Sequence, residues 1–269
     1  MDTSDVKDAA RASRNTAPLR FLARAGYAVN GLVNAIIGLI AIGIAISGGG
    51  SADQSGAFAA ISATPGGLVA LWVITIALAS LGIWYLLGSF LTYGRDTKRR
   101  AAKIAIAMGK GIAYLLLAAA AFTFVRGAGG DGASEVTAFT AQLLAAPGGI
   151  VVIVLLGLLL CGIGVYMVRK GLTRGFERDI TMPSGPAANG VKALGIFGYV
   201  ARGVALFIVG VLFIVASFTI DPSKATGLDG ALKVLASLPF GQAILVTVGL
   251  GFIAYGLYSL LRSRLANLR

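Results

Sequence analysis

Six runs of apolar residues set the pattern of the chain: Gly26 to Ile46, Gly67 to Leu91, Ile104 to Val125, Gly148 to Val168, Phe197 to Ile220 and Phe240 to Leu261. An α-helix crossing a bilayer takes roughly 20 such residues. Lipid offers no partner to a bare backbone, so each run has to be helical throughout. The alternating pattern of a membrane β-barrel is absent. The pattern predicts an all-α polytopic membrane protein with six transmembrane helices. Shorter amphipathic pieces lie in the odd-numbered connections, at Gly56 to Ile61, Val136 to Leu144 and Leu228 to Leu235. Each is expected to form a short helix on the outer face, capped by Asp53, Ser134 or Asp229.

Composition agrees with a lipid solvent. Hydrophobic residues make up 57% of the 269 and charged residues 13%, against about 25% charged in soluble domains. Mean hydropathy is +0.86. The net charge of +12 could point to nucleic acid, but its distribution argues otherwise. Of the 23 Lys and Arg residues, only Arg126, Lys224 and Lys233 lie in the first, third and fifth connections. The other twenty fall in the N-terminal segment, the second and fourth connections and the C-terminal tail. Basic residues gather in cytoplasmic loops, so both termini are expected in the cytoplasm of a multi-pass protein of the bacterial inner (plasma) membrane. The partners expected are membrane lipids or a protein within the membrane, with no nucleic acid.

The chain repeats itself three times. Ala63-Thr-Pro65-Gly-Gly, Ala145-Ala-Pro147-Gly-Gly and Ser237-Leu-Pro239-Phe-Gly each open the second helix of a pair. Gly82, Gly164 and Gly256 follow 17 residues after the prolines, and Trp84, Tyr166 and Tyr258 follow after 19. The aromatics fall at the inner interface, where they read as anchors. In the first helices Gly31, Gly111 and Gly203 recur, with Gly38, Ala118 and Gly210 seven residues later. Seven residues is two turns, so these small residues share one face and form a packing seam. Asn30, Lys110 and Arg202 precede the three seam glycines. They define a candidate polar ring that could hold a lipid head group or anion, although long basic side chains also snorkel to the interface.

These landmarks divide the chain into a cytoplasmic segment (1–20), repeat 1 (21–94), repeat 2 (101–172), a cytoplasmic linker (173–192) read as a loop from Pro183, Gly185 and Pro186, and repeat 3 (193–264). Each repeat holds two spans, so all three point the same way. The packing expected is three parallel tandem two-helix repeats around a pseudo-threefold axis.

Gly26-Tyr27 with Gly31, and Gly198-Tyr199 with Arg202-Gly203, together with the glycine-rich turns and the proline landmarks, resemble a family of bacterial six-helix membrane proteins known only as a domain of unknown function. The middle copy departs from the motif, with Ile106-Ala107 in place of Gly-Tyr. The resemblance runs from Arg20 to Arg264 and implies no catalytic residues.

The residues offer little chemistry. There is no histidine, so neither a Ser-His-Asp nor a Cys-His arrangement can form. Cys161 is the one cysteine, and it lies in an apolar run. No Asp or Glu lies mid-span, which argues against an ion-driven pump. No cofactor, metal or catalytic residue is expected. The reading is a non-catalytic membrane protein that binds lipid or a partner protein. The alternative is a channel or facilitator along the pseudo-threefold axis, with Asn30, Asn34 and Tyr114 on a hydrated path. An enzyme acting on head groups would need Asp53, Asp131 and Asp229 to converge.

Overall fold

The computed structural model of the protein describes residues 17–48, 50–90, 97–183 and 185–265. The N-terminal segment up to residue 16, the connection around Arg95 and the basic tail beyond residue 265 lie outside the described residues. The elements in order are α1 (Ala17–Ser47), α2 (Gln54–Ser62), α3 (Gly67–Phe90), α4 (Thr97–Val125), α5 (Gly132–Ala145), α6 (Gly149–Leu172), a 3-10 turn (Gly175–Asp179), α7 (Pro186–Thr219), a second 3-10 turn (Pro222–Lys224), α8 (Gly227–Ala236) and α9 (Gly241–Leu265). The six long helices α1, α3, α4, α6, α7 and α9 are each long and apolar enough to cross a membrane. The three short ones, α2, α5 and α8, sit together at one end of the bundle. The opposite end is the basic end.

The proline landmark has a steric basis. Pro65, Pro147 and Pro239 lie in the turn between a short helix and the next long one. After each comes a left-handed residue, Gly66, Gly148 or Phe240, and then a glycine at the first helical position. A Cβ on Gly67, Gly149 or Gly241 would run into the carbonyl oxygen of Ile61, Leu143 or Ala236 at the end of the preceding short helix. The prolines therefore stand two residues ahead of the helix rather than in its first turn.

The caps differ in part from the sequence reading. Asp53 caps α2, its Oδ1 accepting from the Gly56 N–H at 2.8 Å. Asp131, rather than Ser134, caps α5; the Ser134 hydroxyl itself donates to Asp131 Oδ2 at 2.8 Å. A carboxylate accepts both N–H groups and the hydroxyl, so it takes the capping position. Asp229 lies inside α8 and does other work, described below. The linker is also shorter than expected, because α7 already begins at Pro186, where proline's fixed φ and missing N–H suit the first turn. Val191 and Leu194 of this early turn pack against Phe176 of the 3-10 turn.

Packing between the long helices follows the glycines. The first helix of each repeat lies along the second helix of the preceding one: α1 on α9, α4 on α3 and α7 on α6. A Cβ on Gly31 would stand 2.6 Å from the Gly256 carbonyl oxygen, and one on Gly203 2.7 Å from that of Gly164. Gly38 meets Gly249, and Gly210 meets Gly157, in the same way. Backbones come this close only where neither side carries a side chain, which is how helices associate in lipid without a hydrophobic drive. The α3–α4 seam is looser. There Gly111 faces Gly82, while Ala118 is the small residue two turns further on.

Within repeats, α1 packs on α3 and α7 packs on α9, but α4 and α6 of the middle repeat have no comparable packing. The long helices therefore run in the order α4, α3, α1, α9, α7, α6, with α4 and α6 at the two open ends. Both spans are only 17% buried, against 44–56% for the other four. Three equivalent units would close this gap as they close the other two.

Candidate site at the basic end

Inside the bundle, apolar residues from all three repeats form one cluster that includes Ile37, Leu71, Leu78, Ala118, Ala205, Leu245 and Phe252. Toward the basic end this packing gives way to tyrosines. Tyr85 and Tyr114 stack with centroids 5.8 Å apart. Tyr27 and Tyr85 share a hydrogen bond between their hydroxyls at 2.7 Å. Across the bundle Phe176 stacks on Tyr199 at 5.6 Å, and Tyr255 and Tyr258 meet Tyr199 edge to face. Trp84 and Tyr258 are buried in these groups, so they do not stand at the lipid surface as anchors. Tyr166 is exposed there.

Four cations face this aromatic floor. The Lys110 ammonium lies 5.5 Å from the Tyr85 ring centre, and that of Lys170 lies 5.3 Å from Tyr199. The Arg202 guanidinium sits 4.6 Å over Tyr255, and that of Arg262 sits 4.7 Å over Tyr27. Ring faces carry negative charge and attract cations. The charges of Lys170, Arg262 and Asp179 act on Lys110, and those of Arg202 and Arg262 act on Tyr114, so these groups share one region. Asp179 is the acid that pairs there, 2.6 Å from Lys170 and 3.7 Å from Arg262. Lys110 and Arg202 make no ion pair among the described residues. Arg262 Nε and Glu177 Oε1 are buried without a hydrogen-bond partner.

The ring expected from sequence is thus only partly assembled. Lys110 is exposed and Arg202 half-buried, each against a tyrosine. Asn30 is buried in the α1–α9 seam. Its Nδ2 donates to Ser259 Oγ at 3.4 Å, and it accepts from Asn34 Nδ2 at its carbonyl (2.7 Å) and at Oδ1 (3.3 Å). Asn30 and Asn34 thereby satisfy each other inside protein. Lys170 and Arg262 were not singled out by sequence, yet both stand 23 residues after their landmark proline, where repeat 1 has Gly88. Repeats 2 and 3 therefore each place two cations at matched positions, and repeat 1 places none.

At the opposite end, Asp229 is 2% exposed. Its Oδ1 accepts from the Ala52 N–H at 2.9 Å, and its Oδ2 pairs with Lys233 at 2.6 Å. This ties α8 of repeat 3 to the turn before α2 of repeat 1. A shallow groove of about 390 Å³ beside it is lined by Ala133, Thr226, Asp229 and Lys233. Burial raises the pKa of Asp53, and the charges of Asp229 and Asp131 add to this. A raised folded-state pKa means that the fold holds the proton more tightly than the unfolded chain does. The resulting stability is fully present below the ordinary carboxyl value of 3.8 and is lost as pH rises through the raised one. Thermal stability in detergent is therefore expected to fall as pH rises from about 4 through the raised pKa of Asp53. Asp53→Asn, which keeps the cap, is expected to flatten that stretch of the profile.

The fold and this end together define a multi-pass helical membrane protein of three tandem two-helix units with an aromatic and cationic cluster at one end. The chain belongs to the family described as Domain of Unknown Function (DUF1206), which matches residues 25–91, 106–174 and 197–266, one match for each repeat. It is 32% identical over 243 residues to a protein of Bacillus subtilis (strain 168) named "Uncharacterized protein YxxB", covering 89% of this chain and 88% of the relative. No solved structure matches the chain.

Proposed function

We propose that this protein is a non-catalytic membrane module that binds lipid at its basic end, with that end and the N- and C-terminal segments in the cytoplasm and the bundle in the plasma membrane. The observation that carries the reading is the cluster of Lys110, Lys170, Arg202 and Arg262 over tyrosine rings at the basic end of the long helices. Anionic lipids attract cations near the membrane surface, and tyrosine suits the boundary between apolar and wet surroundings. The orientation is supported by the twenty-to-three bias of basic residues. The acids that head-group chemistry would need do come near one another, since the charges of Asp131 and Asp229 act on Asp53, but each is engaged: Asp53 caps α2, Asp131 caps α5, and Asp229 holds Ala52 and Lys233. The channel reading draws less support, because apolar side chains from all three repeats pack through the middle of the bundle.

The test is native mass spectrometry of the protein extracted from its own membrane in mild detergent. A reproducible added mass matching a membrane lipid is the expected result. A clean mass of the chain alone, under conditions where it stays folded, overturns the reading.

A further inference from the structure

Resting on the lipid-binding reading, we propose that the gap between α4 and α6 is a lateral opening that takes an acyl chain of one anionic phospholipid, whose phosphate is held by Lys110, Lys170, Arg202 and Arg262. The gap is where packing within a repeat fails in the middle copy. The pairs α1/α3 and α7/α9 are in contact, whereas α4 and α6 are not packed along each other. At the short-helix end the opening is roofed, because α5 packs on α6 and α8, and α4 packs on α2. Toward the basic end no element among the described residues bridges α4 and α6.

The chemistry along the opening has two parts. Lys110 sits on α4 and Lys170 on α6, so each wall carries a cation near the same end. On α4 the half-buried residues in line with Lys110 are Tyr114 and Leu117, at helical spacing, and the line ends under the roof at Ala121, which is buried in the core. On α6 the residues in line with Lys170 are Met167, Ile163 and Leu160. Beyond the cationic mouth, the stripes are apolar or aromatic for the length of the spans. A free anion would match the cations but leave the apolar slot unexplained. A neutral lipid would match the slot but not the charge. A single anionic phospholipid matches both.

The charge balance favours a head group without an amine. Four cations share the region with two acids of the 3-10 turn, Asp179, which engages Lys170 and Arg262, and Glu177, whose Oε1 is buried without a hydrogen-bond partner among the described residues, so the cations are in excess. Among the described residues Lys110 and Arg202 meet ring faces and form no ion pair, and the buried Arg262 Nε finds no hydrogen-bond partner. Guanidinium and ammonium groups bind phosphate oxygens through short charge-assisted hydrogen bonds. A zwitterionic head group would bring its own cation into a site already rich in them. Phosphatidylglycerol is the simplest probe with the required charge.

The test uses the full chain in nanodiscs of equimolar dioleoylphosphatidylglycerol and dioleoylphosphatidylcholine, released for native mass spectrometry. One retained phosphatidylglycerol per chain is expected. Lys110→Gln combined with Arg202→Gln should cut that occupancy about tenfold, as expected when charge-assisted bonds to phosphate are lost. Lys110→Arg with Arg202→Lys should largely keep it. Thermal unfolding of both double variants shows that they are folded. A phosphatidylglycerol carrying a diazirine in its acyl chain should label α4 and α6, and excess unlabelled phosphatidylglycerol, but not phosphatidylcholine, should suppress that labelling. Retention of lipid with no head-group preference and no response to the Gln variants overturns this proposal while leaving the lipid-binding reading intact. Suppressible labelling on another helix pair overturns the opening. No retained lipid in any composition overturns both.

Discussion

Gly203→Ala is expected to destabilise the bundle by about 2 kcal/mol, at the upper side of what one added methyl group costs in a tight interior, whereas Gly111→Ala should cost less than about 1. Both glycines occupy the same position in their repeats, and both would gain helix propensity of about 1 kcal/mol on becoming alanine. The difference lies in what the new methyl meets. On Gly203 it would stand 2.7 Å from the Gly164 carbonyl oxygen and 2.8 Å from the Val168 backbone nitrogen. Those atoms belong to a helix backbone, so α6 and α7 would have to part. The approach is reciprocal, because a methyl on Gly164 meets the Gly203 carbonyl oxygen at 2.7 Å. Separating the helices there also loosens Gly157 against Gly210, one further step along the seam. On Gly111 the nearest atoms belong to the Leu86 side chain at 2.7 Å, with the Gly82 oxygen at 3.0 Å. A leucine can change rotamer where a backbone cannot. Thermal unfolding of the two variants in one detergent decides the matter; equal losses would mean that the seams do not differ as their glycines indicate.

That contrast shows what the sequence could and could not disclose. Lipid forces long apolar runs and helical backbones, so six spans stand out from composition alone. The proline landmark is legible because three repeats of one chain must turn the same corner, and the glycine that opens each helix has a carbonyl oxygen where a Cβ would sit. The seam glycines are legible as a face, but not as a pairing. Their partners lie on the second helix of the preceding repeat, and nothing local says which helix that is. Gly157 and Gly249 did carry a signal, seven residues before Gly164 and Gly256; in the first repeat Thr75 stands there and breaks the pattern. The gap between α4 and α6 left no trace, since a helix facing lipid and a helix facing another helix can be equally apolar.

The cations were hidden for a different reason. The bias that orients a membrane protein and the charge that binds a head group use the same residue types at the same depth. Lys170 and Arg262 therefore looked like two more of the twenty. Asn30 shows the converse. It shares a repeat position with Lys110 and Arg202, yet a neutral amide can be buried between helices, and hydrogen bonds to Ser259 and Asn34 hold it there.

Asp179→Asn is the substitution at the basic end with the largest expected effect. Its carboxylate offsets Lys170 and Arg262, whose side chains are 12% and 14% exposed. Removing one partner of a buried pair leaves the other charge uncompensated and costs about 3–5 kcal/mol in full burial. Exposed pairs are worth about 1 kcal/mol or less. Asp179 is 29% exposed, which places the loss at about 2 kcal/mol, between these limits. The asparagine variant should therefore unfold at lower temperature in a neutral detergent. It also leaves Lys170 and Arg262 without the acid they share and raises the net positive charge of the cluster, so an anionic head group becomes worth more to the folded state. Added phosphatidylglycerol should raise the unfolding temperature of Asp179→Asn by more than that of the parent chain, and phosphatidylcholine should not, because binding to the folded state alone stabilises in proportion to affinity. A variant that loses stability and regains none with anionic lipid would mean that Asp179 serves only to tie α6 and α9 together, and that the cations it balances answer to no anion.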